Sequence, residues 1–284
     1  MIFQVGTALE YEVNFPSTII FSVHVQHNPS QIVLLEKLLI HPDMPFEEFE
    51  LDGNRFVRMQ TAGHTYFALH YSATVDCNYE VCPTGEIAVT PLETLANCAI
   101  PYLFPSRYCQ SDRLGKLAWD LFGDIENSYD KVTAIVEWIH ANVEYVPGST
   151  HSQTSAYDTV TQRVGVCRDF AHLGIALCRA LNIPARYFTG YAYELEPPDF
   201  HACFECFLGD KWMAFDATHL APLNGIVRIA RGRDAADAAV ASVFGSVNRT
   251  AMEVSCTLAE GQRFIPISRP QLRGRGVALP ADAD

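Results

Sequence analysis

Along the first third of the chain, apolar and polar residues alternate with a period of two. In "TIIFSVHV", Ile19, Phe21, Val23 and Val25 share one face, and in "TYFALHYSATV", Thr65, Phe67, Leu69, Tyr71, Ala73 and Val75 do the same. That period predicts strands with one buried side. Between the two runs, "LDGNRF" carries Asp52 and Gly53, a pair suited to a two-residue hairpin turn. Residues 1–90 therefore read as an antiparallel β-domain. Pro91, Pro101 and Pro105 then interrupt any regular element, and 91–111 reads as an ordered linker.

The period next changes to 3.6. Leu114, Leu117, Ala118 and Leu121 form one apolar stripe; Val132, Ile135, Val136, Ile139 and Val143 form a second, opened by Ser128 and Asp130. A third helix is predicted from Val166 or Cys167, burying Phe170, Leu173, Gly174, Leu177, Cys178 and Leu181 and ended by Pro184. Strand-like runs follow in "ARYFTGYAY", "HACFECFL", "KWMAFDA", "GIVRIAR" and "TAMEVSCTL", with a short helix expected at "DAADAAVASVF". The fold class is α+β, with a second domain over 112–261 and a mobile tail over 262–284.

Charge narrows the partners. A net charge of −13, from 33 acidic against 20 basic residues without a basic cluster, argues against nucleic acid and anionic membranes, which reward clustered Lys and Arg. No Lys or Arg precedes Lys37, and Asn14, Pro16, His24 and Asn28 break the early apolar residues, so the start does not resemble a secretory signal. No segment is apolar for long enough to span a bilayer. A cytoplasmic location is expected, where the nine scattered cysteines stay reduced.

One of those cysteines stands where a thiol gains chemistry. Cys167 opens the predicted third helix, and a helix N-terminus, with unpaired N–H groups and a positive dipole end, stabilises a thiolate. In "HACFECFLGDKWMAFDAT", a hairpin turn at Gly209-Asp210 sets Leu208 opposite Lys211 and Phe204 opposite Phe215. Ala202, Phe204 and Cys206 then share an apolar face, while His201, Cys203, Glu205, Asp216 and Thr218 share the other. In that register Asp216 is the diagonal neighbour of His201, about 7–8 Å away between backbones, a gap that polar side chains close. Nucleophile, proton acceptor and orienting carboxylate are the parts of a triad for acyl transfer.

These two stretches, "GVCRDFAHLGIALCRALNIPARYFTGY" and "DFHACFECFLGDKWMAFDATH", resemble the core of the transglutaminase-like superfamily, and in particular its bacterial members regarded as cysteine proteases. The resemblance implies a papain-like core of helices packed on an antiparallel sheet, with the N-terminal β-region similar to the β-domain that precedes it. By the same resemblance, Cys167 corresponds to the nucleophile, His201 to the base and Asp216 to the orienter. Many relatives carry Trp where this chain has Cys203, and "DPT" where it has "DAT"; neither departure touches the triad.

Other residues read more plainly. Cys206 faces away from His201 and Cys203, so these three, with His219, do not form one tetrahedral centre, and no metal or cofactor is expected. His172 lies about 140° around the helix from Cys167 and reads as a supporting or surface residue. Asp169 suits the helix dipole, and Arg168 a local pairing. Trp212 and Phe207 either wall a substrate groove or cover the hairpin. The Cys167 N–H is the obvious oxyanion donor, with Gln162 and Tyr145 as candidates for a second. The expected function is thioester-mediated hydrolysis of peptide or isopeptide-like bonds in a peptide or protein substrate. Amine transfer to glutamine and a non-catalytic binding module are the alternatives. No loop has the oxygen-ligand spacing of an EF-hand.

Overall fold

The alternating first third builds most of one antiparallel sheet. β1 (Ile2–Phe21) is its spine, joined by β2 (Gln31–His41), β3 (Phe46–Leu51), β4 (Asn54–Gln60) and β5 (Tyr66–Cys77) in the order β2-β5-β1-β4-β3. Ile19, Phe21, Val23, Val25, Phe67, Leu69 and Val75 are all fully buried, as the period requires. Asp52 and Gly53 turn β3 into β4 with φ of 52° and 73°, angles that Gly adopts freely and Asp tolerates. The computed structural model describes residues 1–85, 87, 91–267 and 274–278.

The rest of the chain runs β6 (Glu80–Pro83), α1 (Ser111–Phe122), α2 (Ser128–Asn142), β7 (Glu144–Tyr145), α3 (Ala156–Gln162), β8 (Val164–Gly165), α4 (Cys167–Ala180), β9 (Ala185–Ala192), β10 (Phe200–Leu208), β11 (Lys211–Phe215), β12 (Ile226–Gly232), β13 (Ala241–Leu258) and β14 (Arg275–Ala278). A second sheet has the order β12-β9-β10-β11-β14-β6. α4 lies against β10 so closely that a Cβ on Gly174 would stand 2.6 Å from the Phe204 ring. Farther along the same seam the Cys178 and Cys206 sulfurs are 3.6 Å apart. This contact fixes where the tip of α4 meets the strands.

Several expectations need correction. Sheet membership crosses the expected bounds of 1–90 and 112–261: β13 pairs with β1 from Phe3 to Phe21, and β6, from the first 90 residues, pairs with β14 in the second sheet. Alternation reports which side of a strand is buried, not which strand it joins. The stretch 262–284 is not simply a loose tail, because β14 hydrogen-bonds to β11 and β6; 268–273 and 279–284 lie outside the described residues. No helix forms at "DAADAAVASVF". There the Asp234 carboxylate accepts from the N–H groups of Tyr108 and Ala236, and Asp237 accepts from the Arg233 N–H and guanidinium, local bonds that compete with a helix. α3 was not anticipated. Its signal was Ser155 three residues before Asp158, which bond each other's backbone as a capping box.

Side chains of the first sheet complete the outer edge of β12. Asn54 donates to the Arg231 carbonyl at 2.6 Å and accepts from its N–H at 2.9 Å, while Gln31 accepts from the Arg228 N–H at 2.6 Å. Both amides are almost fully buried. Asn54→Ala removes both partners of the Arg231 backbone and is expected to cost about 1–3 kcal/mol. Urea unfolding should show a lower midpoint at unchanged slope.

Candidate active site

Cys167 is the first residue of α4, at the point where the short parallel pair β7–β8 delivers the chain to the helix. Gly165 is bare because a Cβ there would stand 2.9 Å from that of Asp169. The buried Asp169 carboxylate accepts from the Val166 N–H at 3.0 Å and the Thr150 hydroxyl at 2.7 Å, and pairs with Arg168. Arg168 also reaches the His151 carbonyl at 2.9 Å. The local readings of Asp169 and Arg168 both fit: together they tie the 150–151 loop to the helix start and leave the half-buried Cys167 at the tip.

The hairpin register is the expected one, with Phe204 opposite Phe215 and Leu208 opposite Lys211. His201 near the start of β10 and Asp216 just past β11 meet on one side, Nε2 to Oδ2, at 2.8 Å. The other carboxylate oxygen is fixed by the Thr218 N–H at 2.8 Å and the Thr218 hydroxyl at 2.7 Å. Thr218 thus orients Asp216, and Asp216 orients the imidazole. Cys167 lies close enough to the same imidazole to help raise its pKa. Of the predicted site residues, His201 and Asp216 meet directly, and Cys167 stands near them at the helix tip.

Electrostatics follow from this burial. Desolvation alone would push the His201 imidazolium down, but its neighbours Cys203 and Asp216, its hydrogen bond to Asp216 and the nearby Cys167 outweigh it and raise it well above the ordinary histidine range. Burial drives the Cys203 thiol up to about 12, so at neutral pH Cys203 is uncharged and the Asp216 carboxylate is the charge that matters. Burial would likewise raise the Asp216 carboxyl, yet His201 and the Thr218 donors hold it below its usual value.

Around this centre the remaining candidates separate. Tyr145, on β7, lies beside Cys167; burial and then the Cys167 charge push its phenol up to about 12. Gln162 ends α3 and is exposed. Trp212 and Phe207 do not wall a groove: they are buried with Leu95 and Ala99, and Tyr102 meets Trp212 edge-on, so the 91–110 segment covers the hairpin. His172 is no surface residue; it is fully buried, accepts from the Ala235 N–H and stacks on Tyr108, which holds its imidazolium well below the usual range through desolvation and two nearby arginines. A cavity of about 830 Å³ is lined by Tyr129, Glu137, Phe215, Asp216, His219 and Leu223 among others; it reaches the site at Asp216, without Cys167 or His201 in its wall.

Comparison with known proteins fits this geometry. The profile described as transglutaminase-like superfamily matches residues 116–217, and that of the bacterial transglutaminase N-terminal domain matches 1–92. A crystal structure from Cytophaga hutchinsonii, described as a candidate cysteine protease, is 54% identical, with a TM-score of 0.95 over 98% of this chain and 97% of that one. An uncharacterized protein of Mycobacterium leprae is 29% identical over 38% of this chain and 42% of its own length. Another, from Bacillus subtilis, is 27% identical over 41% of this chain and 19% of its own. The chain thus spans less than half the length of these two relatives. Its two matched regions, and its full-length likeness to the Cytophaga protein, show that it belongs to the transglutaminase-like superfamily, in the bacterial form with an N-terminal β-domain.

Proposed function

We propose that the chain is a cysteine-dependent hydrolase of amide bonds in peptide or isopeptide-like substrates. The observation that carries this reading is the His201–Asp216 hydrogen bond at 2.8 Å, with Cys167 at the tip of α4 near enough to the same imidazole to help raise its pKa. Asp216 occupies Nε2, which leaves Nδ1 to carry the proton that the thiol gives up, so that the sulfur attacks the carbonyl carbon beside an imidazolium. The tetrahedral intermediate collapses when His201 returns that proton to the leaving amine, forming a thioester. Water, deprotonated by His201, then attacks the thioester carbon, and the acid leaves as the thiol is reprotonated. We assign the reaction to the cytoplasm, the setting in which nine free thiols persist.

Tyr145 supplies the second oxyanion donor in this reading. Tyr145 lies beside Cys167, so an oxyanion developing between its hydroxyl and the Cys167 N–H would accept from both. Tyr145→Phe should lower kcat about 10²–10³-fold. Alkylation of Cys167 by iodoacetamide, which forms no oxyanion, should persist in that variant.

The test of the function is a peptide library offered with and without a primary amine donor and read by mass spectrometry. Release of acid that disappears in Cys167→Ala is the expected result; amine adducts would instead assign amine transfer. At pH 7, Cys167 should alkylate faster than the other eight thiols and lose that advantage in His201→Ala. Equal rates for all nine thiols would leave the non-catalytic binding module as the better reading.

A further inference from the structure

The triad leaves one side chain at its centre without a task. Cys203 follows His201 by two residues on β10, so strand alternation sets both on one face. A ring nitrogen of His201, the Cys203 sulfur and an Asp216 oxygen all lie within 4.8 Å of one another. Each residue is at most 6% exposed. Tetrahedral zinc, with bonds of about 2.0–2.3 Å, holds its ligand atoms about 3.3–3.8 Å apart, so these donors need only small adjustments.

We infer that His201, Cys203 and Asp216 form a three-ligand binding site for a thiophilic divalent cation of the zinc class, beside the Cys167 thiol. The donor types select the ion: an imidazole and a sulfur suit zinc, whereas magnesium and calcium demand oxygen alone. Charge balances, because the coordinated Cys203 thiol releases its proton to solvent, and one thiolate with one carboxylate neutralises a dication. Phe188, Ala192, Leu195, Ala214 and Ile226 pack with Cys203 and keep water from its sulfur. Alternation had set Cys206 apart from this group, and Cys206 does lie against Cys178 on the α4 side. An imidazole bound to the ion cannot accept the thiol proton, so the ion acts as a reversible inhibitor; that consequence, unlike the binding, rests on the hydrolase reading.

Calorimetric titration of the chelator-treated full chain should find one Zn²⁺ per chain and no binding of Mg²⁺. Cys203→Ala should weaken binding at least about 100-fold, since loss of a mere supporting group around a metal costs about 10–100-fold; Cys206→Ala, a buried thiol on the opposite face, should leave it unchanged. Co²⁺ gives a second reading, through a thiolate charge-transfer absorption lost in Cys203→Ala and kept in Cys206→Ala. Circular dichroism shows whether each variant is folded. An unaltered affinity in folded Cys203→Ala, or no stoichiometric binding by wild type, overturns the site. Bound Zn²⁺ should also protect Cys167 from iodoacetamide. Cys203-dependent binding combined with a slow Cys167 in the zinc-free chain would uphold the site and sink the hydrolase reading, whereas a fast Cys167 without zinc binding would do the reverse.

Discussion

Asp216→Asn is expected to lower turnover about 10⁴-fold while the fold stays intact, the scale seen when a triad loses the carboxylate that orients its histidine. The amide keeps roughly the shape of the carboxylate and its bond to Thr218, so circular dichroism and the melting temperature should change little. The pH profile separates this from general damage. In the wild type the imidazolium persists well above the ordinary histidine value because the Asp216 charge and its hydrogen bond offset burial. Reactivity that requires the imidazolium is therefore retained through neutral pH and lost only as pH rises past that raised value. Removing the carboxylate lowers it, so the basic limb of Cys167 alkylation should move to lower pH. An unmoved limb would mean that Asp216 has no hold on the proton. Cys167→Ala should be at least as severe and should abolish the thioester, visible as loss of any covalent adduct trapped with substrate.

The largest loss of stability is expected from Glu205→Ala. Glu205 is fully buried on β10 and accepts from Arg186 at 2.7 Å and from Arg228, each 7% exposed or less at the side chain. Arg186 also lies over the Trp212 ring at 3.9 Å, and Arg228 over Phe188 at 4.6 Å. Two cations thus share one anion within a dry sheet face. Without the carboxylate both arginines lose this buried partner, a change that costs about 3–5 kcal/mol and lowers the melting temperature by on the order of 10 °C. Glu205→Gln, which keeps a hydrogen-bond acceptor but not the charge, should lie between. A melt unchanged in Glu205→Ala would show that water reaches the arginines.

What the sequence made legible was local. The tip of α4 at Cys167 and the hairpin register around Gly209-Asp210 follow from nearest-neighbour rules, and together they were enough to bring His201 and Asp216 onto one side. The place of Tyr145 beside Cys167 was not legible, because it depends on β7 lying parallel to β8, with Tyr145 opposite Gly165, a pairing of two residues too short to leave a pattern. Trp212 could not be assigned to groove or cover from its parity. Its fate was settled by Tyr102, more than a hundred residues earlier, in a Pro-interrupted stretch. The false helix at "DAADAAVASVF" shows helix-favouring alanines losing to the carboxylates of Asp234 and Asp237.

The return of β13 to β1 also sets an order of events during synthesis. One whole flank of β1, from Phe3 to Phe21, has no neighbour until residues 241–258 have left the ribosome. Every helix of the core and most strands of the second sheet emerge while that flank is open, a bare row of amides of the kind that invites pairing between nascent chains. A chain cut after residue 240 should for this reason retain its sulfur, imidazole and carboxylate yet precipitate, and supplying 241–258 as a separate peptide should rescue it.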